Sequence, residues 1–249
     1  MKSFRLFVTL IIGVFVLSAA KDYKPTISMV EAVNAGDKRA VAYYIKHGED
    51  VNQKDKEGNT LLLIAADKGY TKIVESLIKA GADVNKDRNK WTPLLAAACK
   101  EYEDIIEILI DAKADVNAES NDGWTALMLV SKSGNVRIAR ILVEAGAKVE
   151  GNGGGNKKTP LMIASNSGRI EMIEFLIDAG ADVNAASNPG GFTVLMGAVV
   201  GNHNEVIQLL IDAGADVNAR SDAGHTALIF AELEGYNDIV KTLKKAGAK

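Results

Sequence analysis

Leu176–Ala185 reads L-I-D-A-G-A-D-V-N-A, and Leu210–Ala219 repeats the same ten letters 34 residues later. L-I-K-A-G-A-D-V-N at Leu77–Asn85 and L-I-D-A-K-A-D-V-N-A at Leu109–Ala118 are close variants. A phrase that returns at such an interval marks stacked units, each solving one packing problem against the next.

A second phrase opens each unit. It reads T-L-L-L at Thr60, T-P-L-L at Thr92, T-A-L-M at Thr125, T-P-L-M at Thr159, T-V-L-M at Thr193 and T-A-L-I at Thr226. The start of the D-V-N phrase lies 23 positions after each threonine, at Asp83, Asp115, Lys148, Asp182 and Asp216, and the same count from Thr226 reaches Lys249. Counting back 23 from Asp50 gives Ile27, the start of a degenerate first unit. Seven units are therefore expected, beginning near 27, 60, 92, 125, 159, 193 and 226.

Local chemistry supplies the secondary structure. Threonine is a good N-cap, and Pro93 and Pro160 fall at the first helical position, where a missing N–H costs nothing. Leucine stands two residues after every threonine, and alanine stands five after it in all but one unit, where Val130 replaces it. That spacing buries one face of a short helix. Gly36, Gly69, Gly134, Gly168 and Gly235 then end this helix, with Asn202 in the same slot. A second apolar stripe follows, as in Ile73-Val74 and Leu77-Ile78, and Gly48, Gly81, Gly146, Gly180, Gly214 and Gly247 close it. Each unit is thus predicted to be helix, turn, helix and loop. Lys244 replaces the isoleucine or valine of earlier units and predicts a solvated outer cap, while the first unit reads as the N-terminal cap.

The pattern resembles the ankyrin repeat over Ile27 to Lys249, with T-P-L-L-A-A at Thr92–Ala97 and T-P-L-M-I-A at Thr159–Ala164 standing for the family's T-P-L-H-x-A. The resemblance implies an all-α solenoid of about seven helix-turn-helix units with projecting loops. It also implies a protein partner met by the loop tips and the adjacent concave face of the first helices. One departure is consistent. The family's histidine is replaced by Leu63, Leu95, Met128, Met162, Met196 and Ile229, so the hydrogen-bond network that this histidine makes in the family is not expected here.

Composition narrows the chemistry. The 249 residues are 47% hydrophobic, an ordinary globular balance. One cysteine excludes an internal disulfide framework, and His47, His203 and His225 are too few and too scattered for a metal cluster. Lys2 and Arg5, the apolar run Leu6–Leu17 and the small residues Ser18-Ala19-Ala20 describe a secretory signal peptide over 1–20, with an uncleaved anchor as the alternative. Cleavage after Ala20 removes two positive charges and takes the formal net charge from -3 to -5. A mildly acidic product is a poor nucleic-acid binder. The repeat domain, 21–249, is expected to be a periplasmic or secreted monomer with no membrane contact beyond the signal segment.

Gly151–Thr159 reads G-N-G-G-G-N-K-K-T and imitates a phosphate-binding loop, but Asn156 and Lys158 stand where glycine and Ser/Thr are required. It is expected to be a structural loop. The D-V-N carboxylates are expected to satisfy backbone groups rather than bind calcium. No nucleophile–base pair is apparent, and no cofactor or catalytic residue is expected.

What remains is a binding surface. The residue before each threonine is Asn59, Trp91, Trp124, Lys158, Phe192 or His225, and large aromatics on a rigid scaffold form interface hot spots. In the third unit Glu101 and Lys113 replace both helix-ending glycines, and Cys99 occupies a slot held elsewhere by Asp67, Lys132 and Asn166. Local rules are broken most often at functional sites. The expected protein-binding patch is therefore Trp91, Cys99 and Trp124, with Lys86, Arg88 and Lys90 on the adjoining loop tip and Phe192 further along. An interaction scaffold is the reading favoured. A dedicated accessory or immunity protein for one periplasmic enzyme or toxin is the alternative, and a nucleotide-binding enzyme using Gly151–Thr159 is a distant third.

Overall fold

The structure, a computed structural model, describes residues 23–151, 158–187 and 189–249. Among the described residues there are fourteen α-helices and no strand. The first helices of the seven units are α1 (Met29–Ala35), α3 (Leu61–Asp67), α5 (Pro93–Cys99), α7 (Ala126–Ser133), α9 (Pro160–Asn166), α11 (Val194–Val200) and α13 (Ala227–Leu233). The second helices are α2 (Lys38–Lys46), α4 (Thr71–Lys79), α6 (Glu103–Asp111), α8 (Val136–Glu144), α10 (Ile170–Asp178), α12 (Asn204–Asp212) and α14 (Asn237–Lys245). First helices stack on first helices and second on second, so each unit meets only its neighbours.

The predicted N-caps are all in place. Thr60, Thr92, Thr125, Thr159, Thr193 and Thr226 are extended, and each hydroxyl accepts the N–H three residues on at 3.1–3.3 Å. The first unit differs by one residue from the sequence count. Its N-cap is Ser28, which forms a capping box with Glu31. Helix α1 runs straight into left-handed Gly36, without the extra residue that Lys68 supplies before Gly69. Counting back 23 therefore overshoots the cap by one. Tyr44 donates its hydroxyl to the Ile27 carbonyl and ties the entering chain to α2.

The core is one continuous apolar column. Leu62, Leu94, Leu127, Leu161, Leu195 and Leu228 are buried, as are the alanines five after each cap and Val130. A fully buried leucine stabilises by about 1.5–3 kcal/mol relative to exposure. The former histidine slot is apolar and mostly buried, as Leu63, Leu95, Met128, Met162 and Met196 show.

Polar cross-links between units lie elsewhere, in the D-V-N phrase. Asn52, Asn85, Asn117, Asn184 and Asn218 each accept, on Oδ1, the backbone N–H at the start of the next unit's phrase, at 2.8–2.9 Å. Each also sends its Nδ2 to a carbonyl of that next unit, of Gly81, Lys113, Gly146, Gly214 and Gly247, at 3.0–3.5 Å. The phrase's aspartates serve their own turn, as Asp83 does in accepting the Asn85 N–H at 3.0 Å. The asparagines form a ladder across the array, with Glu150 as the one acceptor-only rung.

The last unit turns charge to water. Lys244 is exposed and pairs with Glu232 at 2.9 Å, closing the C-terminal face as expected. Residues 1–20, on which the expectation of a signal peptide falls, and most of the Gly151–Thr159 loop, residues 152–157, lie outside the described residues.

Candidate functional site

The residues before the threonines are held by their loops. The N–H groups of Asn59, Trp124, Phe192 and His225 are bonded by Asp55, Ser120, Ser187 and Ser221 side chains at 2.8–3.3 Å. The third unit uses a tighter device. Arg88 and Trp91 exchange backbone bonds of 2.9 and 3.2 Å around Asn89 and Lys90, which have φ of 52° and 61°. Two left-handed residues in a row define the hairpin turn whose twist suits paired strands. These two strained residues were not apparent in the sequence, because neither is glycine.

Trp91, Trp124 and Phe192 are half-buried rather than exposed, and the rings of Trp91 and Phe192 pack against the core. Trp91 packs on the core and walls a recess of about 360 Å³ with Arg88, Asn59, Ile64, Asp67 and Lys68. Arg88 reaches back to Asn59 at 3.4 Å and to Glu57 at 3.7 Å. Trp91 and Arg88 are thus brought together as expected, but over the second unit. Cys99 is exposed and is not part of that recess. Lys86 is half-buried and Lys90 exposed, and neither lines it. Lys132 Nζ lies 5.9 Å from the Trp124 ring centroid, within range of a cation–π contact.

Phe192 walls a second recess, of about 280 Å³, on the same side of the stack. Met162, Ile163 and Asn166 of α9 form one wall, Phe192 and Gly197 the other, and Lys158 stands at the rim. The far edge of Phe192 meets Phe230 at 5.5 Å between centroids, and His225 meets Phe230 at 5.4 Å. Val200 and Leu233 extend this apolar surface, 47% and 72% exposed, in the slot that holds Asp67, Lys132 and Asn166 in earlier units. Neither was singled out in the sequence, although the change from polar to apolar along one slot was there to be read.

Titratable groups on this side are held by loop geometry. Asp55 loses some favour for its charge through burial. Bonds from the Asn59 side chain and from the backbone of Asn59, Glu57 and Gly58 outweigh that and hold its carboxyl below the usual value. Among the described residues no cluster of three His, Cys, Asp or Glu could hold a metal ion. No helix among them is long and apolar enough to cross a membrane.

Identical caps, one shared core and side chains displayed at a fixed register define a stacked-repeat scaffold. The chain belongs to the ankyrin repeat family, whose profile (ankyrin repeats, 3 copies) matches residues 29–120, 112–187 and 184–249. Among solved structures, the human ASB11 ankyrin repeat domain superposes with a TM-score of 0.77 at 24% identity, over 90% of this chain and 99% of that one. That likeness is one of fold. Protein phosphatase 1 regulatory subunit 27 of Homo sapiens and that of Mus musculus are each 43% identical over 53 residues, 21% of this chain. The match spans only about a third, 34%, of the length of those relatives.

Proposed function

We propose that this protein is an exported, non-catalytic scaffold that holds a protein partner against the face made by its first helices and loop tips. The observation that carries the reading is that both recesses on this side, walled by Trp91 and by Phe192, are built from the residue before the cap threonine and the preceding unit's first helix. Rigid, half-buried aromatics beside open recesses are what interface anchors require. Trp124, Cys99, Lys86 and Lys90 belong to the same proposed face. Export rests on residues 1–20 alone, and a periplasmic or secreted location follows from that reading. Binding as a monomer is part of the proposal.

A dedicated accessory subunit for one enzyme is the second reading. It is favoured by the likeness to a regulatory subunit, 43% identical over 53 residues. A nucleotide-binding role for Gly151–Thr159 has no such support.

The test is affinity capture with the full chain against its Trp91→Ala/Trp124→Ala and Phe192→Ala forms, read by mass spectrometry. A partner retained by the first and lost from a variant supports the face. Equal capture by all moves the site elsewhere. The intact mass of the recovered bait reads export directly, since cleavage after Ala20 shortens it by twenty residues.

A further inference from the structure

Backbone geometry does not require a glycine at Gly197. It lies inside α11, where glycine costs about 0.5–1 kcal/mol relative to alanine. Its φ is not left-handed, and a Cβ built there meets only the Met162 carbonyl at 3.7 Å and Asn166 Cβ at 3.9 Å, ordinary contacts. The equivalent residues of the other cap-threonine units are Ile64, Ala96, Leu129, Ile163 and Phe230, all with side chains. Omitting the side chain has one visible consequence: it opens the floor of the recess between Ile163 and Phe192.

The size and lining of that recess say what would fill it. About 280 Å³ is just below the range of small-molecule pockets and suits a single bulky side chain. Its walls are Met162, Ile163 and Phe192, and among the described residues its only charged lining residue is Lys158. Lys158 is exposed and forms no ion pair among the described residues, and Lys132 adds a second exposed cation one unit earlier. In the other direction the surface turns apolar at Val200 and Leu233, the only large hydrophobics among the described residues that are strongly exposed. Exposed large apolar residues beside a charged rim are a mark of interaction surfaces.

We infer that this half of the face reads an extended peptide segment of its partner that carries a carboxylate beside bulky apolar side chains. One apolar side chain enters the recess over Gly197, the carboxylate meets Lys158, and the following apolar residue lies on Val200 and Leu233. This rests on the proposed binding face and names the chemistry of what it holds there.

The experiment is selection of a random peptide phage library on the full chain, followed by fluorescence polarisation with synthetic peptides from the consensus. The expected consensus is acidic residue plus bulky apolar residues. Gly197→Leu fills the recess and is expected to weaken binding by about tenfold or more. Gly197→Ala should weaken it less while raising the unfolding temperature, which separates occlusion from misfolding. Lys158→Glu should weaken acidic peptides and strengthen those with lysine at the same place. A consensus without the acidic-apolar pattern, no consensus, or unchanged binding to Gly197→Leu overturns the inference. If binding survives Gly197→Leu but falls with Trp91→Ala, the face stands and this inference fails. Binding indifferent to every variant overturns both.

Discussion

The ring of Tyr102 lies flat against the α-carbon of Gly69, so closely that a Cβ there would fall 2.8 Å from Tyr102 Cζ. Gly69 is also left-handed, at φ +74°. Tyr70 covers Gly36 in the same way, at 2.9 Å. Gly36, Gly69, Gly134 and Gly168, each ending a first helix, therefore serve two ends, reversing the chain and seating a side chain of the next unit. Gly81, which ends a second helix at φ +91°, has nothing within 4 Å of a built Cβ. Gly69→Ala should cost the backbone penalty of about 1–2 kcal/mol plus an overpacking cost of about 1–3 kcal/mol. Gly81→Ala should cost the backbone penalty alone. Urea unfolding of both variants checks this, and equal losses would show that Tyr102 simply moves aside.

The third unit dispenses with both glycines. Glu101 and Lys113 sit at φ 58° and 69°. Glu101 recovers something, because its Oε2 accepts from Asn135 Nδ2 of the next unit at 3.0 Å. Lys113 makes no such side-chain bond. Lys113→Gly should therefore stabilise by up to about 1 kcal/mol, and Glu101→Gly by less. Hydrogen exchange offers a second check: the third unit should become better protected in Lys113→Gly. A loss of stability there would mean that glycine's unfolded-state entropy outweighs the strain.

Caps, helix phase and unit length were legible because each depends on residues close in sequence. Thr60 caps the amide three residues on, and Leu62 repeats at one register. The two strained slots at Glu101 and Lys113 were legible for the same reason, as departures from a repeating glycine. What joins the units was not. Asn52 binds a backbone amide 31 residues away, and only stacking brings them together. The candidate face fared likewise. Its aromatics could be listed from one slot, but their half-burial depends on the preceding unit's first helix, and the Gly197 recess needs Ile163 and Phe192 from different units.

The asparagine ladder should show in cooperativity as well as stability. Asn184→Ala removes two bonds between the fifth and sixth units, to the Asp216 N–H and the Gly214 carbonyl. Exposed bonds of this kind contribute about 0.5–1.5 kcal/mol each at most. Because each interface couples neighbouring units, its loss should broaden the urea transition. The reverse change is available at Glu150, which accepts the Asp182 N–H at 2.7 Å but carries no donor. Glu150→Asn supplies one and should stabilise modestly, by about 0.5 kcal/mol. A sharp, unshifted transition in Asn184→Ala would contradict the ladder's role.

Two buried serines at equivalent places should respond in opposite directions. Ser131 is fully buried and gives its hydroxyl to the Leu127 carbonyl at 2.7 Å. Ser165 is equally buried, and its hydroxyl has no partner among the described residues. Ala66 and Ala98 fill the same slot in other units. Ser165→Ala removes an unsatisfied polar atom and should raise stability by about 1 kcal/mol, whereas Ser131→Ala should lower it by about 0.5–1 kcal/mol. Thermal unfolding of the pair decides the matter, and destabilisation by Ser165→Ala would indicate a bound water at that hydroxyl.

Acid should loosen the second unit's loop tip at a defined place. Asp55 Oδ1 accepts the N–H groups of Glu57 and Asn59 at 2.9 and 2.8 Å, and its Oδ2 accepts Asn59 Nδ2 at 2.8 Å. Burial works against the charged form, but these bonds prevail, so the folded pKa lies below the reference 3.8. A carboxylate with a depressed folded pKa contributes stability above its unfolded pKa and loses it as the pH falls through the folded value. The loop should thus stay closed through about pH 4 and open below that. The amide shift of Asn59, followed by NMR from about pH 6 downward, should titrate with a midpoint below 3.8. Asp55→Asn should abolish that titration. The same loop lines the Trp91 recess, so its opening should carry Arg88 and Asn59 with it, and the Trp91 fluorescence should change over the same pH interval.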